Sequence, residues 1–441
     1  MSPLVSVKTE TNTYLSKLLK QFASDSQSKN LKELRDRAKS LVESSRLPDK
    51  KDEEWQFTDL SELLEQDFQL APVAEVSTQI LEEYALLETR ESRIVFVNGY
   101  YSPELSNISA IDATVYVGNL KGLDEARQAK IVNHLADEVG NEKLFAALNT
   151  SGLEDAAVIW AKANAIATIP IQILHLSAPE ESTKFSQPRT IIVAEKSSNL
   201  QIVEKYGVAG DEYGKVPYLT NTVTQIWLEE NARVNHTRVQ KEALSCFHIA
   251  KTAVFQERDS HYTGNEISIG SKLYRHNIEV TQKGEQTETN LNGLVTISDK
   301  QLADTHSLVS LNLPHGTVNQ LHKCIVSDRA RAVFNGKILV PQKAQLTNAT
   351  QLNRNLLLSP KARVNTKPEL QITADDVKCA HGATISQLEE DEIFYLRSRG
   401  LKETDAKFLL IDAFAAEIID RISIESLRKR LTQCVACKTV N

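Results

Sequence analysis

Cysteine is scarce in this chain, and the few cysteines do not form the pattern of a disulfide-stabilised protein. Only five occur among 441 residues, an odd number spread thinly along the sequence. Small secreted domains held together by disulfides carry an even, closely spaced set. We therefore expect reduced thiols. The five positions are Cys246, Cys324, Cys379, Cys434 and Cys437.

Long apolar runs and excess positive charge are also lacking. No apolar stretch reaches the roughly 20 residues that a membrane span needs. The N-terminal segment lacks the apolar core of a secretory signal, and Glu10 and Asp25 are unlike a transit peptide. A net charge of −7 argues against binding to the phosphate backbone of nucleic acids. These absences predict a soluble, cytoplasmic protein that binds neither membranes nor nucleic acids.

The common catalytic motifs are missing as well. The sequence contains no GxxxxGK[ST] phosphate loop and no GxGxxG dinucleotide motif. It also lacks the HExxH and GxSxG motifs of metalloproteases and serine hydrolases. We predict that the chain is not an enzyme.

The pattern of apolar and polar residues divides the sequence into three parts. Residues 1–166 are mostly helical, with an apolar stripe at Leu31, Leu34, Ala38 and Leu41 and short strands between 93 and 118. From 167 to 385, strand-like runs follow one another with Asn, Gly, Ser, Asp and Lys between them. Residues 386–441 are helical again. The sequence therefore predicts a mainly β protein with helical domains at both ends.

A weak repeat runs through the strand-rich part. The segments NARVN (231), RARAV (329), KAQLT (343) and KARVN (361) each place a small residue and an apolar residue two positions apart. The last three copies start 14 and 18 residues apart. An irregular period of this length favours a parallel β-helix, in which each coil stacks on the next. The alternative is an antiparallel sandwich, whose turns come every 8 to 12 residues.

The last helical part carries an apolar stripe at steps of three and four residues. Two short helices cannot form a core of their own, so this stripe must dock on the rest of the chain or on a partner. Its residues are Phe408, Ile411, Ala415, Ile418 and Ile422.

Cys379 and His381 are the most specific candidates for chemistry. Aligning KCAHG with KARVN places Cys379 at Ala362 and His381 at Val364, so both side chains share one strand face. They are either packed at the end of the β-core or a ligand pair for iron, zinc or copper. Two ligands do not complete a tetrahedral site, so a partner would have to supply the others.

Two further groups of side chains could bind a metal, and the sequence does not decide whether they do. His322 and Cys324 repeat the spacing of His381 and Cys379 in an earlier strand and would join them only if the strand register stacks them. Cys434 and Cys437 form one CxxC, which without a second pair is a weak zinc or redox signal. Incidental thiols in a C-terminal tail are the simpler interpretation of CVAC.

Three segments resemble the SufD family of scaffold subunits of the SUF iron–sulfur cluster assembly system. They are LPDKKDEEWQFTDLSELL (47–64), FAALNTS (145–151) and KCAHGATISQLEEDEIFYLRSRGLKETDAKFLLIDAFAAEIIDRI (378–422). The similarity covers essentially the whole chain in the same order. The N-terminal motif with its tryptophan resembles SufD rather than the paralogous SufB scaffold, which remains an alternative. A β-helix enzyme acting on polysaccharide is a second alternative.

The resemblance implies a right-handed parallel β-helix that pairs with SufB near its C-terminal coils. It also implies that the C-terminal helices, through the stripe from Phe408 to Ile422, dock on the ATPase SufC, which binds ATP. A nascent cluster would form transiently at the SufB–SufD interface, where His381 handles iron and Cys379 has a less defined role. No stably bound cofactor is expected, and the isolated chain is a candidate to form a homodimer through the same surface.

Overall fold

A computed structural model describes residues 13–22, 29–138, 143–179, 181–211 and 213–439, with the side chains of 29, 30 and 436–439 left out. Helices lie at both ends of the chain and strands fill its middle. None of the described helices combines the length and the apolar character that crossing a membrane requires. The helices are α1 (residues 13–19), α2 (Lys29–Ser44), α3 (Ser61–Leu64), α4 (Thr78–Tyr84), α5 (Glu125–Glu138), α6 (Leu144–Ser151), α7 (Glu390–Ser398), α8 (Glu403–Ile419) and α9 (Glu425–Thr439).

The strands alternate between two sheets, so that one strand from each sheet makes one rung of a coil. The strands are β1 (Gln69–Leu70), β2 (Arg93–Val97), β3 (Tyr100–Tyr101), β4 (Val115–Asn119), β5 (Ala157–Ala161), β6 (Ile171–Ser177), β7 (Lys184–Ser186), β8 (Arg189–Ala194), β9 (Asn199–Val208), β10 (Tyr218–Leu228), β11 (Arg233–Gln240), β12 (Cys246–Gln256), β13 (His261–Ser268), β14 (Leu273–Gln282), β15 (Glu288–Ile297), β16 (Leu302–Ser310), β17 (Thr317–Val326), β18 (Arg331–Val340), β19 (Thr347–Leu357), β20 (Arg363–Ile372) and β21 (Val377–Ser386).

Sheet A runs in the order β20-β18-β16-β14-β12-β10-β8-β5-β4, and sheet B in the order β21-β19-β17-β15-β13-β11-β9-β6-β2-β3. Neighbouring strands are parallel except for β4 with β5 and β2 with β3. This is a parallel β-solenoid of about 8 turns, which confirms the predicted fold class and excludes the antiparallel sandwich. Strands before residue 167 extend both sheets, since β2 pairs with β6 and β5 with β8.

The two sheets enclose a core, and helices cover part of the outer face of each sheet. Between the sheets lies an apolar core that includes Ile202, Ile226, Val254 and Ile338, each fully buried. The N-terminal helices cover the outer face of sheet A, where Trp55 lies 3.9 Å from the Arg275 guanidinium. Because parallel strands are buried on both faces in this way, they read as nearly continuous apolar runs.

The C-terminal helices cover the outer face of sheet B. Ile411, Ala415, Ile418 and Ile422 are at most 2% exposed, and they pack against a row of outward-facing strand residues of sheet B. The prediction that this stripe is a docking surface for a partner therefore needs correction, because the chain's own sheet already covers it. Only Phe408, which is half-buried, keeps part of its side chain in solvent. The row in sheet B consists of Val203, Val239, Ile267, Leu294, Leu321, Ile325 and Leu356.

The corners of the coil use the left-handed backbone region. Asn231, Asp259 and Asp328 have φ between 51° and 58°, a region in which Asn and Asp are tolerated better than other non-glycine residues. The N–H of Asn231 donates to the Arg258 carbonyl of the following rung. The repeats NARVN and RARAV lie at such corners, where Ala232 and Ala330 are fully buried. The weak repeat is therefore a corner signal.

Leu346 occupies one of these corners with φ 58°, and its side chain is 52% exposed. Replacing Leu346 with Asn should raise the free energy of unfolding by about 1 kcal/mol, because a leucine in the left-handed region is strained. The substitution loses little buried apolar surface, and it keeps the hydrogen bond that the backbone N–H of residue 346 donates to the Asp376 carbonyl. Urea denaturation measures the change, and the reverse substitution Asn231→Leu should lower stability by a similar amount. A destabilised Leu346→Asn variant would show that the exposed leucine makes a contact worth more than its strain.

Candidate functional site

The candidate pair lies on β21, the last strand of sheet B. Cys379 is opposite Ala349 of β19, and His381 is opposite Gln351. The alignment with Ala362 and Val364 was wrong, because those residues belong to the corner and strand that lead into sheet A. The two residues still share one face, since they are two positions apart in a strand. That face is the inner one, as Cys379 packs against the core between the sheets.

The two side chains differ in their access to solvent. Cys379 is half-buried and His381 is exposed. Partial burial raises the pKa of the Cys379 thiol, so binding of a metal there must displace a proton. The half-buried Cys379 thiol packs against the core, and the exposed His381 imidazole lies two residues further along the same strand. A neighbouring molecule could therefore reach both side chains.

Cys379 and His381 have no further metal-ligating side chains beside them in the described part of the chain. Among the residues that the structure describes, no group of three or more His, Cys, Asp and Glu side chains converges as a metal site would. Thiolate and imidazole ligands suit iron, zinc and copper, but a tetrahedral site needs four ligands. A metal ion held by Cys379 and His381 would therefore need further ligands from outside the described part of this chain.

His322 and Cys324 do not join this pair. They lie on β17, and β19 separates them from β21, with Asn353 opposite both His322 and Ala383. The Cys324 sulfur is 3.6 Å from Nδ1 of His322, and both residues are buried. Burial lowers the pKa of His322 to about 4 and raises that of the Cys324 thiol well above its usual value. These residues form a neutral pair in the core.

The CxxC near the C-terminus is described only in part. Cys434 lies on α9, is half-buried and packs against the cluster that joins the C-terminal helices to sheet B. The side chain of Cys437 is outside the described residues. The metal or redox role of this pair stays untested.

A polar network inside the solenoid is the feature that the sequence reading missed. Glu204 is fully buried and accepts hydrogen bonds from Tyr206 (2.8 Å) and Thr224 (2.9 Å), with Nε2 of His236 at 3.0 Å. One signal was available, because Glu204 follows Leu200 and Ile202 with the period of two that marks the inner face.

Arg238 is the cation of this network. It is 2% exposed, donates to Glu266 at 2.9 Å and to the Tyr274 hydroxyl at 3.1 Å, and lies 4.5 Å from the centre of the Tyr206 ring. Burial raises the pKa of the Glu266 carboxyl, but His276 and Arg238 outweigh that effect and bring it down to about 2. The Glu266 carboxylate is therefore ionised and paired inside the coil.

The last rung is an open end of the solenoid. β20 and β21, each ten residues long, have a strand neighbour on one side only. At the opposite end the sheets finish in β3 and β4, of two and five residues. Short edge strands prevent pairing with other chains, whereas long ones offer unpaired N–H and C=O groups. The C-terminal end is therefore the better template for a partner strand.

Exposed apolar side chains lie beside this open end. The helix α7 buries none of its residues, and a groove of about 690 Å³ separates α7 and α8 from the corner that leads into β20. The exposed apolar residues on this side are Ile385, Phe394, Tyr395, Leu401 and Leu409.

Comparison with known proteins gives consistent matches over most of the chain. Residues 9–173 match the SufBD protein N-terminal region, and residues 175–414 match the SUF system FeS cluster assembly, SufBD core domain. A Synechocystis iron–sulfur cluster assembly SufBD family protein is 49% identical over 91% of this chain and 90% of its own length. The iron–sulfur cluster assembly protein SufD of Escherichia coli is 32% identical, with 87% and 88% covered. The Arabidopsis protein ABCI7, described as chloroplastic, is 37% identical over 92% and 86%.

Proposed function

We propose a function from one premise: this chain belongs to the SufBD family of iron–sulfur cluster assembly proteins, and within it resembles SufD. Our proposal is that it is a non-catalytic scaffold that pairs with a SufB-type subunit and holds part of a nascent cluster at their interface. One observation carries the proposal. The exposed His381 and the half-buried Cys379 lie on β21, at the open end of the solenoid.

The open end supplies the pairing surface. Strand addition at a free sheet edge gives affinity through main-chain hydrogen bonds and specificity through side chains. A SufB-type strand that extends β21 would bring its own side chains to within reach of Cys379 and His381. The site becomes complete only in the complex, which accounts for a ligand pair without companions in the described chain.

Iron and sulfide are cargo in this proposal. Cys379 as thiolate and His381 as neutral imidazole would hold iron while the cluster forms, with further ligands from the partner. The chain keeps no resident cofactor. ATP would be bound and hydrolysed by a SufC-type partner, since this sequence has no phosphate loop.

We place the surface for that ATPase on the outside of the C-terminal helices. The stripe from Ile411 to Ile422 is covered by sheet B. By contrast, Phe394 is exposed and lines the groove. Tyr395, Leu401 and Leu409 are also exposed, on α7, on α8 and in the turn between them. We name these four residues the outer docking face. Exposed aromatic residues near a groove are typical centres of protein interfaces.

Two alanine substitutions separate the outer docking face from the buried stripe. Phe394→Ala should leave the melting temperature unchanged, because this side chain is 70% exposed. It should weaken binding of the SufC-type ATPase at least about 10-fold, as for an aromatic residue central to an interface. Ile418→Ala should instead lower the free energy of unfolding by about 2–5 kcal/mol. ATPase binding unchanged in Phe394→Ala would remove that residue from the docking surface.

Co-purification tests the proposal as a whole. A tagged copy of this chain, expressed with SufB-type and SufC-type proteins, should retain both, and the complex should build an iron–sulfur cluster when supplied with iron(II), a sulfur donor and ATP. Recovery of a homodimer alone, with no SufB-type subunit bound, would contradict the pairing. Cluster formation that proceeds equally well without this chain would contradict its role as a scaffold.

A further inference from the structure

Gln351 lies directly beneath His381 in the inner face of sheet B. The strand register places Gln320 of β17, Gln351 of β19 and His381 of β21 opposite one another. Gln351 is 1% exposed and Gln320 is 5% exposed, while His381 is exposed because no strand follows β21. The three side chains therefore form one column that ends at the candidate metal ligand.

The amide of Gln351 is held in a fixed orientation. Its Nε2 donates to Oε1 of Gln320 at 2.8 Å, and Nε2 of Gln320 donates to the Ser307 hydroxyl at 2.8 Å. Gly336 in sheet A leaves the space that this amide fills, since a Cβ there would lie 2.3 Å from Nε2 of Gln351. A glycine inside a strand often marks such a close approach.

This orientation leaves one buried acceptor unused. Nε2 of Gln351 donates to β17, and no group in the described part of the chain donates to its Oε1. Oε1 is therefore available to a donor on the last strand. A buried acceptor without its hydrogen bond is destabilising. Its opposite neighbour in the last strand is His381, whose neutral imidazole carries one N–H donor.

We propose that Gln351 is a positioning residue for His381, accepting an imidazole N–H on Oε1 once a partner covers the last rung. The inference rests on the function proposed above and names a further residue of the same site. The bond would fix which ring nitrogen carries hydrogen, and the other nitrogen would face outward with its lone pair directed at iron. A metal-bound histidine regularly donates the N–H of its other ring nitrogen to such an acceptor, and this hydrogen bond sets the orientation of the ring.

The matched substitutions are Gln351→Met and Gln320→Met, both in the complex assembled with the SufB-type and SufC-type partners. Methionine keeps the length of the side chain and removes the acceptor. Iron(II) titration should show affinity reduced about 10–100-fold in Gln351→Met, the usual loss when such a supporting bond is removed. Gln320→Met removes the bond that holds the Gln351 amide but leaves Oε1 of Gln351 in place, so its loss of iron affinity should be clearly smaller than that of Gln351→Met. If the Gln351→Met complex fails to assemble, Gln351→Leu removes the same acceptor with a different shape.

A spectroscopic measurement separates positioning from a general loosening of the core. With ¹⁵N-labelled histidine in the complex loaded with zinc(II), wild type should show a single protonation pattern for the His381 ring, and Gln351→Met a mixture. Equal losses of iron affinity in the Gln351 and Gln320 variants, or an unchanged ring in Gln351→Met, would overturn the inference. A His381→Ala complex that binds iron as wild type does would instead defeat the proposed function itself.

Discussion

Replacing His381 with alanine should abolish cluster formation on the complex while leaving the complex intact. The imidazole is exposed at the end of the coil and makes no large packing contribution, so the free energy of unfolding should change by no more than about 0.5 kcal/mol. Loss of a ligand is more severe than loss of a group that supports one, which alone costs about 10–100-fold. The yield of cluster per complex, followed by its visible absorption, should therefore fall by more than 100-fold.

A matched control is available at another exposed histidine of the solenoid. His315 is exposed at a corner, with φ 61°, and His315→Asn keeps a residue that tolerates this backbone. The control should assemble clusters at the wild-type rate. Full activity of His381→Ala under the same conditions would remove the imidazole from the mechanism and leave the chain a scaffold without a ligand.

Replacing Arg238 with methionine should produce a large loss of stability. The guanidinium is 2% exposed and pairs with Glu266 at 2.9 Å. Its removal leaves a carboxylate buried without its cation, and breaking a buried pair in this way costs about 3–5 kcal/mol. Urea denaturation at pH 7 should show a loss in this range. Arg258→Met, in an exposed pair with Glu230, should lose no more than about 1 kcal/mol.

The size of the Arg238 effect should depend on pH. In the wild type, the pKa of Glu266 is lowered from 4.5 to about 2, so its contribution is present above pH 4.5 and is lost as the pH falls toward 2. Without Arg238 the buried carboxyl is more easily protonated. The difference between wild type and variant should therefore shrink below pH 4.5. Arg238→Met with Glu266→Gln, which removes both charges, should recover part of the loss at pH 7. If the difference in the free energy of unfolding between wild type and Arg238→Met grew below pH 4.5, the proposed pairing of Arg238 with Glu266 would be contradicted.

The fold class follows from the sequence because strand-like runs with few helical signals dominate residues 167–385. The register does not follow, because the corners differ in length and only some carry the repeat. NARVN leads into β11 of sheet B, whereas KARVN leads into β20 of sheet A. The alignment of KCAHG with KARVN therefore gave wrong partners. It still gave a shared face, because any two residues two apart in a strand point the same way.

The stripe of α8 shows a second limit. Its spacing predicts that something covers Ile411 and Ile418, but spacing alone does not distinguish the chain's own sheet from a partner. The deciding signal was in the strands. Ile202 and Val203 are adjacent and both fully buried, and a strand that is apolar on both faces needs a cover on its outer face. Buried charges such as Glu204 and Arg238 follow the inner-face period, but their pairing depends on register.

Amide hydrogen exchange in the last rung tests the central claim most directly. It should be measured on β20 and β21 at a protein concentration where the isolated chain is a monomer, and again in the assembled complex. Edge strands leave alternate N–H groups without a partner, so exchange there should be fast in the isolated chain. The account predicts strong protection of residues 363–372 and 377–386 in the complex. Unchanged exchange in both strands while the SufB-type subunit remains bound would place the interface elsewhere and leave His381 without a partner.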